Sequence, residues 1–331
     1  MHDYFLIDLK RGIRRAISAR WMRRLDRRSV SKKSAEVRLF MCVRNEMLRL
    51  PYFYAYYRRL GIHRFFIIDN GSTDGSREYL QLQEDTHVFS TSETFLRKEA
   101  WLDLLLRRYG LGQWCVVVDA DEFLLYPHSA RVSLPDLCRF LEQQGADVLH
   151  CFLLDLYPDQ PLSRVHYEPG IDPLRVSCFF DPATHWKEKH RFRNCKGSLD
   201  FRYVGGVRHR VFGIQDMCCS KFPLFRFAPS MFLRDGQHEL EGAVIADLQG
   251  VLMHQKFLHD FAPRVAEESV RGQHWNHASQ YKVYAQKVVT DCDLCLMGPE
   301  STAYRDPSQL ESLGLMRSCE SFERFVAGLA G

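Results

Sequence analysis

Residues 114–124, Trp114-Cys115-Val116-Val117-Val118-Asp119-Ala120-Asp121-Glu122-Phe123-Leu124, contain the strongest indication of the fold. The first half of this stretch is apolar and rich in valine, which is typical of a buried central strand. Its second half adds three carboxylates, and a buried charge is costly unless it has a partner. Because side chains two residues apart on a strand share a face, Asp119 and Asp121 are expected to point the same way. Two carboxylates at the carboxyl end of a strand suit a hard divalent cation, whereas the simpler interpretation is a solvated turn.

The segments before this stretch predict alternating strands and helices. Apolar runs predict three strands, and amphipathic segments predict a helix after each of them. In chain order these elements are residues 37–43, 47–60, 64–69, 74–83, 88–89 and 96–109. This alternation predicts the α/β fold class, with a largely parallel, doubly wound sheet and right-handed crossovers.

The pattern becomes less regular after residue 127. Residues 157–235 are rich in Pro, Gly, Arg and aromatic residues, which predicts long loops and an extension of the sheet. The elements predicted around this region are residues 135–144, 148–156, 243–253, 257–272 and 274–289. The residues that follow predict a weak helix and a tail.

The N-terminal arm, residues 1–35, differs from the rest of the chain in charge. It contains eleven Lys or Arg residues and three Asp residues, a net charge of +8, whereas the whole chain carries +4. Within the arm, residues 5–28 alternate apolar and basic residues at near-helical spacing. This pattern is typical of a basic amphipathic helix that lies on an anionic membrane surface, although a solvated packed helix or a flexible tail would also fit it. The acidic remainder of the chain argues against a protein that binds nucleic acid.

Composition predicts a cytoplasmic protein, peripheral on the cytoplasmic face of the membrane if the arm binds lipid. No run of eighteen apolar residues predicts a membrane span, and the first residues lack the pattern of a secretory signal. The cysteine count of 11 is odd, which favours reduced thiols. Cys292 and Cys295 have the spacing of half a zinc site, but no second pair has a matching spacing.

Polar motifs also follow the first two predicted strands. Arg44-Asn45-Glu46 follows the first, and Asp69-Asn70-Gly71-Ser72-Thr73-Asp74 follows the second. Because parallel strands end at the same edge of a sheet, these residues are expected to meet Asp119 and Asp121 there. Carboxylates accept hydrogen bonds from a base or a ribose, while a pyrophosphate needs a metal, Lys or Arg. Without a glycine-rich phosphate loop, this combination favours a nucleotide-sugar pocket.

Three motifs in this order resemble those of the family 2 type glycosyltransferases, which have the GT-A fold. The motifs are Val43-Arg44-Asn45-Glu46, Ile68-Asp69-Asn70-Gly71-Ser72-Thr73-Asp74 and Asp119-Ala120-Asp121-Glu122-Phe123. More loosely, Leu252-Met253-His254-Gln255-Lys256-Phe257 is similar to a late strand and helix of that group. The resemblance is firm over residues 37–127 and looser over residues 205–281.

The resemblance implies a division of the chain into parts. A GT-A domain, with a Rossmann-like and mostly parallel sheet, would follow the arm and precede a tail. The predicted parts are the arm (1–35), the GT-A domain (36–290) with its nucleotide-sugar-binding half (36–127) and its acceptor-side half (128–290), and the C-terminal tail (291–331).

Carried over residue by residue, the resemblance implies contacts to a donor and a metal. Asp69 would receive the edge of the nucleobase, and Asn45 and Glu46 would lie near the nucleoside. Asp119 would contact the ribose or the metal, and Asp121 would ligate Mn²⁺ or Mg²⁺ bridging the diphosphate. In the structural alternative, Glu46 only caps a helix and Asp69 only orders the turn.

Residues later in the chain complete the expected site. His254 follows an apolar strand and is expected to complete the metal shell, unless it is a satisfied core histidine. Lys256 and Lys98 are expected to meet phosphate, and a solvated helix face is the alternative for Lys98. Further candidates for metal or phosphate contacts are His238, Arg97, Arg271 and His274.

The catalytic base is where the chain departs from the family pattern. Glu-Asp followed by Gln-x-x-Arg-Trp is usual in family 2 enzymes and is not recognisable here. Inverting transfer needs a carboxylate or an imidazole to take the proton of the acceptor hydroxyl. Glu239 is the first candidate, with Asp216 and Glu188 as alternatives.

The sequence therefore predicts a metal-dependent, inverting glycosyltransferase. It would move a sugar from a nucleoside diphosphate sugar to a hydroxyl group of a glycan or a lipid-linked acceptor. Two alternatives stay open. One is a sugar-phosphate nucleotidyltransferase, which would normally bring a glycine-rich N-terminal loop. The other is a non-catalytic, membrane-docked protein that binds a nucleotide sugar.

Overall fold

The structure is a computed structural model that describes residue 17, residues 19–30 and residues 36–329. The strands are β1 (Arg23–Arg24), β2 (Val37–Val43), β3 (Arg64–Asp69), β4 (Thr86–Ser90), β5 (Trp114–Val117), β6 (Glu122–Leu125), β7 (Val148–Asp155), β8 (Phe179–Phe180), β9 (His185–Lys189), β10 (Phe201–Gly205), β11 (Ser220–Arg226), β12 (Phe232–Arg234), β13 (Glu239–Glu241), β14 (Ile245–His254) and β15 (Thr302–Ala303). The helices are α1 (Leu50–Leu60), α2 (Ser76–Leu82), α3 (Lys98–Tyr109), α4 (Leu134–Gln143), α5 (Val207–Phe212), α6 (Phe261–Arg271), α7 (Trp275–Thr290), α8 (Pro307–Ser312) and α9 (Glu320–Leu329). The elements predicted between residues 37 and 156 are present, with ends shifted by a few residues.

A nine-stranded mixed sheet forms the centre of the molecule, in the order β1-β4-β3-β2-β5-β11-β7-β14-β6. Strands β4, β3, β2 and β5 are parallel neighbours. Numbered among themselves they have the order 3-2-1-4, which is the first half of the Rossmann arrangement. The other half contains the parallel pair β7 and β14 together with the antiparallel strands β11 and β6. The predicted α/β class, with a mostly parallel sheet flanked by helices, is therefore confirmed, and the strand order is compatible with a Rossmann-like fold.

Strand β11 lies in the middle of this sheet, although its residues fall in the region predicted to be irregular. Its sequence is unusual for a central strand, since it contains the charged Lys221 and also Pro223, and proline cannot donate a hydrogen bond to a neighbouring strand. In the structure the register between β11 and β7 shifts between Lys221 and Leu224. This irregularity accommodates Pro223: β11 pairs with β7 both before and after it, and with β5 after it, from Leu224 to Arg226.

The core lies on both faces of the sheet, as the alternation of buried side chains shows. All seven residues of β2 are buried. Leu39 and Met41 belong to the apolar cluster that contains α1, whereas Phe40 and Cys42 belong to the cluster that contains α3. Helices on both faces leave the carboxyl ends of the parallel strands open at one edge.

The arm ends as an edge strand and not as a helix. Residue 17 and residues 19–21 are helical, but β1 pairs with β4 and the backbone N–H of Leu25 donates to the carbonyl of Val88 (2.8 Å). Asp26 accepts a hydrogen bond from the backbone N–H of Val88 (3.0 Å). The predicted helix over residues 5–28 is therefore wrong for residues 23–28, because β4 offers unpaired backbone groups at the sheet edge. Residues 1–16 and 18 lie outside the described residues.

The C-terminal segment, predicted as a weak helix and a tail, contributes to the core. Strand β15 pairs with β8, and Phe322 of α9 packs on Phe140 of α4 with 4.8 Å between ring centroids. Leu310, Leu315 and Met316 are buried in the same cluster as α1. In the part of the chain that the structure describes, no helix is both long and apolar enough to cross a membrane.

Candidate active site

A cleft of about 310 Å³ opens at the carboxyl ends of the parallel strands. Glu46 follows β2, Asp119 and Asp121 lie between β5 and β6, and His254 ends β14. Helix α6 and the start of α7 cover the opposite wall. The ionisable residues that line the cleft are Arg44, Glu46, Lys98, Asp119, Asp121, His254, Lys256, Asp260, Arg264, Glu267, Glu268, Arg271, His274 and Tyr281. The predicted meeting of the β2 and β5 motifs at one edge is thus observed.

A buried chain of ionic contacts runs through Asp121, His254, Asp155 and Arg208. The Nε2 atom of His254 lies 3.2 Å from Oδ2 of Asp121, and its Nδ1 lies 2.6 Å from Oδ1 of Asp155. Arg208 donates from Nε to the other oxygen of Asp155 (2.6 Å). Burial acts to raise the pKa of Asp121, but His254 outweighs it and the pKa is well below its usual range. Asp121 is therefore ionised at neutral pH.

Sheet register explains why these side chains meet. At the end of β14, His254 pairs with Asp155 of β7 on one side and with Glu122 of β6 on the other. Directly opposite residues of neighbouring strands place their side chains side by side. Glu122 is buried, and one of its oxygens contacts Nζ of Lys221, which β11 carries. Strand β11, which lies in the region predicted to be loops, thus places the ammonium group of Lys221 beside Glu122.

Asp121, Glu122 and His254 form a group that could hold a metal ion. One ligand atom from each residue lies within 4.8 Å of the other two. Among the residues that the structure describes, no other cluster of three His, Cys, Asp or Glu side chains is close enough to share a cation. Asp155 holds Nδ1 of His254, which is the usual way in which a carboxylate orients a metal-binding histidine. Two carboxylates and one imidazole are ligands that suit Mn²⁺ as well as softer metals. The residues therefore fit a divalent cation.

Asp119 was expected to bind the metal but does not belong to this group. Glu122 does belong to it, although it was not among the metal ligands expected from the sequence. Strand β5 ends at Val117 and a turn follows at residues 120–121, so Asp119 and Asp121 do not lie on one extended strand as expected. Both line the cleft, but they contact different partners. Asp119 forms an ion pair with Nζ of Lys98 and lies 3.9 Å from Nζ of Lys221. Burial acts to raise the pKa of Asp119, but the two lysines lower it below the ordinary value.

The residues after β2 line the cleft and bind helix α6. Both carboxylate oxygens of Glu46 accept hydrogen bonds from Arg264, at 2.7 and 2.9 Å. Asn45 has a positive φ of 54° and its side-chain oxygen accepts from the backbone N–H of Thr73 (2.8 Å). Burial raises the pKa of Glu46 above its ordinary value, although Arg264 opposes the shift. The two motifs after β2 and β3 are therefore joined to each other and to α6.

Asp69 lies beside the cleft and does not line it. It is fully buried, and its Oδ2 accepts a hydrogen bond from Nε of Arg77 (2.7 Å). Its Oδ1 accepts from the backbone N–H of Ser72 (3.1 Å). These contacts order the turn after β3, as the structural alternative for this residue expected. Its predicted contact with a nucleobase stays a prediction.

The candidate bases Glu239, Asp216 and Glu188 do not line the cleft. Glu239 lies 2.8 Å from Nε2 of His190, and Glu188 accepts from Nε of Arg202 (2.7 Å) across the β9–β10 hairpin. Asp216 is exposed in a turn with a φ of 54°. The structure therefore brings none of the three to Asp121.

The structure also separates the basic candidates. Lys98 and Lys256 line the cleft, whereas Arg97 pairs with Glu93 at the surface (2.9 Å). Nζ of Lys256 lies over the ring of Tyr281, 5.0 Å from its centroid.

The histidine and cysteine candidates are separated in the same way. His274 lines the cleft, whereas Nδ1 of His238 contacts the carbonyl of Ser220 (2.8 Å). Cys292 and Cys295 are exposed free thiols. Of these residues, only His274 is placed to meet a ligand in the cleft.

The chain has no match among protein families or curated proteins and a weak similarity to a solved structure. No protein-family model matches the chain. No curated protein matches it either. Among solved structures, the chain is similar to a UDP-glucose pyrophosphorylase from Acinetobacter baumanii, with 9% identity, a TM-score of 0.28, and coverage of 78% of this chain and 84% of that one. A similarity this low assigns neither a fold family nor a function.

Proposed function

We propose that the protein is a metal-dependent glycosyltransferase of the GT-A type. It moves a sugar from a nucleoside diphosphate sugar to a hydroxyl group of a glycan or a lipid-linked acceptor. The observation that carries the proposal is one cleft lined by Asp121, His254, Lys98 and Lys256, with the carboxylate of Glu122 buried within 4.8 Å of the ligand atoms of Asp121 and His254. Two of the three motifs that resemble family 2 glycosyltransferases line this cleft, those after β2 and after β5, and the motif after β3 lies beside it.

The basic side chains of the cleft suit a diphosphate. Phosphate oxygens are recognised by Lys and Arg through charge-assisted hydrogen bonds. Lys98 approaches from the first turn of α3, Lys256 follows β14, and Arg271 ends α6. Burial acts to lower the pKa of Lys98, but the Asp119 carboxylate outweighs it and the pKa is raised. Lys98 is therefore charged at neutral pH and available to a phosphate that displaces Asp119.

A divalent cation fits beside these basic side chains, where Asp121 and His254 line the cleft. Asp121, Glu122 and His254 would hold it, with Asp155 fixing the orientation of the imidazole. When bound, the cation would offset the negative charge that grows on the leaving diphosphate. The protein residues bind the donor, orient it and exclude water from the reacting bond.

The nucleoside belongs near the motifs after β2 and β3 in this proposal. Asn45 and Glu46 line the cleft at this end, and Asp69 lies behind them. The Arg264 and Glu46 ion pair ties α6 to this wall. A base or ribose bound here would contact groups that are already held in place, so little ordering would be needed on binding.

The proposal is tested by incubating the protein with Mn²⁺ and UDP-glucose, UDP-galactose, UDP-N-acetylglucosamine or GDP-mannose. At a ligand concentration about 100 times the dissociation constant, binding stabilises the native state by about 2.7 kcal/mol. We expect one donor to raise the melting temperature only with Mn²⁺, and to be hydrolysed to the sugar and a nucleoside diphosphate.

Three outcomes would contradict the proposal. No stabilisation by any of the four donors would show that the cleft does not bind nucleotide sugars. Release of pyrophosphate from a nucleoside triphosphate and a sugar 1-phosphate would identify a nucleotidyltransferase instead. Binding of a donor without hydrolysis or transfer would identify a non-catalytic protein.

A further inference from the structure

We propose that His274 is the general base that takes the proton of the acceptor hydroxyl, and that Glu268 is the positioning residue that orients its imidazole. The inference rests on the proposed glycosyl transfer and names the base that the family pattern failed to locate. Both residues line the cleft. Neither belongs to the Asp121, Glu122 and His254 group.

The first support is the geometry of the pair. Nε2 of His274 lies 3.1 Å from Oε2 of Glu268, whose side chain is only 11% exposed. An imidazole whose Nε2 faces a carboxylate carries its proton on that nitrogen. The lone pair of Nδ1 is then available to accept a proton. A base that is oriented by a buried carboxylate is the arrangement that activates hydroxyl groups in many enzymes.

The second support is that neighbouring side chains fix the orientation of both residues. Arg271 lies 3.1 Å from Glu268 and donates from Nη2 to the side-chain oxygen of Asn70 (2.7 Å). The His274 ring stacks on Tyr281 with 4.3 Å between centroids and an interplanar angle of 30°. Its other neighbour is Phe95, at 4.9 Å. The imidazole is therefore held between Phe95, which precedes α3, and Tyr281 of α7, and its positioning carboxylate is tied to the motif after β3.

The third support is the charge of the two groups. Burial lowers the pKa of His274 below its ordinary value, although Glu268 opposes this shift. Lys256 and Lys98 face the imidazole and act in the same direction as burial. Burial acts to raise the pKa of Glu268, but His274 and Arg271 outweigh it and lower that pKa. At neutral pH the imidazole is therefore neutral and able to accept a proton, and Glu268 is charged.

The step balances in protons and electrons. The acceptor O–H bond breaks and its proton moves to Nδ1 of His274. The oxygen forms a bond to the anomeric carbon of the donor sugar. The bond from that carbon to the phosphate oxygen breaks, and its electron pair leaves with the nucleoside diphosphate. The protonated imidazole is stabilised by Glu268 and returns its proton to solvent after the product leaves.

The experiment compares the wild-type protein with His274→Gln and Glu268→Gln. Water replaces the acceptor, so the assay follows nucleoside diphosphate release from the four donors named above, with Mn²⁺, between about pH 5 and pH 9. We expect His274→Gln to lower kcat for hydrolysis about 100-fold, since a general base contributes 10²–10⁴-fold. Donor affinity, measured by calorimetry, should stay within about threefold.

The pH profile separates catalysis from a structural role. The wild-type rate should rise with pH as His274 loses its proton, and this acid limb should be absent in His274→Gln. Glu268→Gln removes the charge that raises the pKa of His274, so the limb should move to lower pH. Imidazole added to His274→Ala should restore part of the rate.

A matched control is His166→Gln, because His166 also faces a glutamate, Glu168 at 3.3 Å, but is 81% exposed and outside the cleft. It should leave the rate and the pH profile unchanged. Hydrolysis by His274→Gln at the wild-type rate, with the acid limb intact, would overturn the assignment of the base alone. Failure of the wild-type protein to hydrolyse any donor would overturn the proposed function as well.

Discussion

His254 and Asp121 form a buried ion pair in which Nε2 of His254 lies 3.2 Å from Oδ2 of Asp121. The pair joins the end of β14 to the turn between β5 and β6. Because β14 lies next to β6 in the sheet, two segments distant in sequence close one side of the cleft. The same contact supports the local structure and presents the proposed metal ligands together.

Asp121→Asn should abolish metal-dependent donor hydrolysis. The amide keeps the shape of the side chain but removes the charge that a divalent cation and His254 both need. Breaking a buried ion pair should also lower the free energy of unfolding by roughly 3 kcal/mol. Donor hydrolysis with Mn²⁺ and urea unfolding measure the two effects.

EDTA added to the wild-type protein should reproduce the loss of hydrolysis without the loss of stability seen in urea. The control variant for Asp121→Asn is Asp291→Asn, which should keep the wild-type rate of hydrolysis. Asp291 is outside the cleft and lies 3.9 Å from Lys287 at the surface. Full turnover in EDTA would rule out the metal-dependent reaction.

Lys98→Gln should raise the KM for the donor about tenfold, since a hydrogen bond to a charged group contributes about 1.5–3 kcal/mol. The matched control is the neighbouring Arg97→Gln, because Arg97 pairs with Glu93 and does not line the cleft. Steady-state kinetics of the two variants with one donor measure the difference. Equal KM values would show that Lys98 serves only to neutralise Asp119.

Acid should weaken the contact between α1 and α6. Asp260 accepts hydrogen bonds from Arg49 at 2.6 and 2.8 Å, and these lower its pKa to about 2 although burial acts to raise it. A carboxylate with a depressed pKa stabilises the native state above its unfolded pKa, and this stability is lost as the pH falls through the folded pKa. The wild-type protein should therefore lose roughly 2 kcal/mol of stability between about pH 5 and pH 2 from this group.

Asp260→Asn isolates this contribution. The variant should be less stable than the wild type at pH 7, and the difference should shrink toward pH 2 when both are followed by urea unfolding. Glu320→Gln, in the exposed pair with Arg324, should change stability little. A difference between Asp260→Asn and wild type that does not vary with pH would contradict the assignment.

The arm should bind anionic membranes reversibly. Residues 1–35 carry a net charge of +8 from eleven Lys or Arg and three Asp, and Trp21 is 55% exposed beside them. Each basic residue near an anionic surface contributes about 1 kcal/mol, screened by salt. Removal of residues 1–16, which contain four of the eleven Lys or Arg residues, should weaken sedimentation with phosphatidylserine liposomes, while hydrolysis of a soluble donor stays unchanged.

Trp21→Ala should weaken liposome binding, since Trp favours the membrane interface. Trp186→Ala is the matched control, because Trp186 is 46% exposed on the β9–β10 hairpin, far from the arm in sequence. High salt should partly reproduce the release. Failure of the full-length protein to bind at low salt would remove the localisation proposal.

Local signals explain most of what was predicted correctly. The strands at 37–43 and 64–69 are apolar apart from Arg38, Arg64 and Asp69 and are followed by polar motifs, so neither their type nor their ends depended on distant contacts. The position of Glu46, Asp119 and Asp121 at one edge followed from the parallel order alone. Strand β11 was not predicted because it contains Lys221 and Pro223, which are unusual in a central strand. Lys221 is stabilised there by its ion pair with Glu122, and Pro223 by a break in the strand register.

The sequence by itself determined the α/β class, the carboxyl edge as the place of the site, and the acidic motifs that reach it. Periodicity and turn chemistry are local properties, and the end of a parallel strand is the same edge for every neighbour. Only the tertiary structure decided the ionic partners: Lys98 for Asp119, His254 for Asp121, and Glu268 for His274. Such partners depend on sheet register and helix placement, which bring together charges that no spacing along the chain reveals.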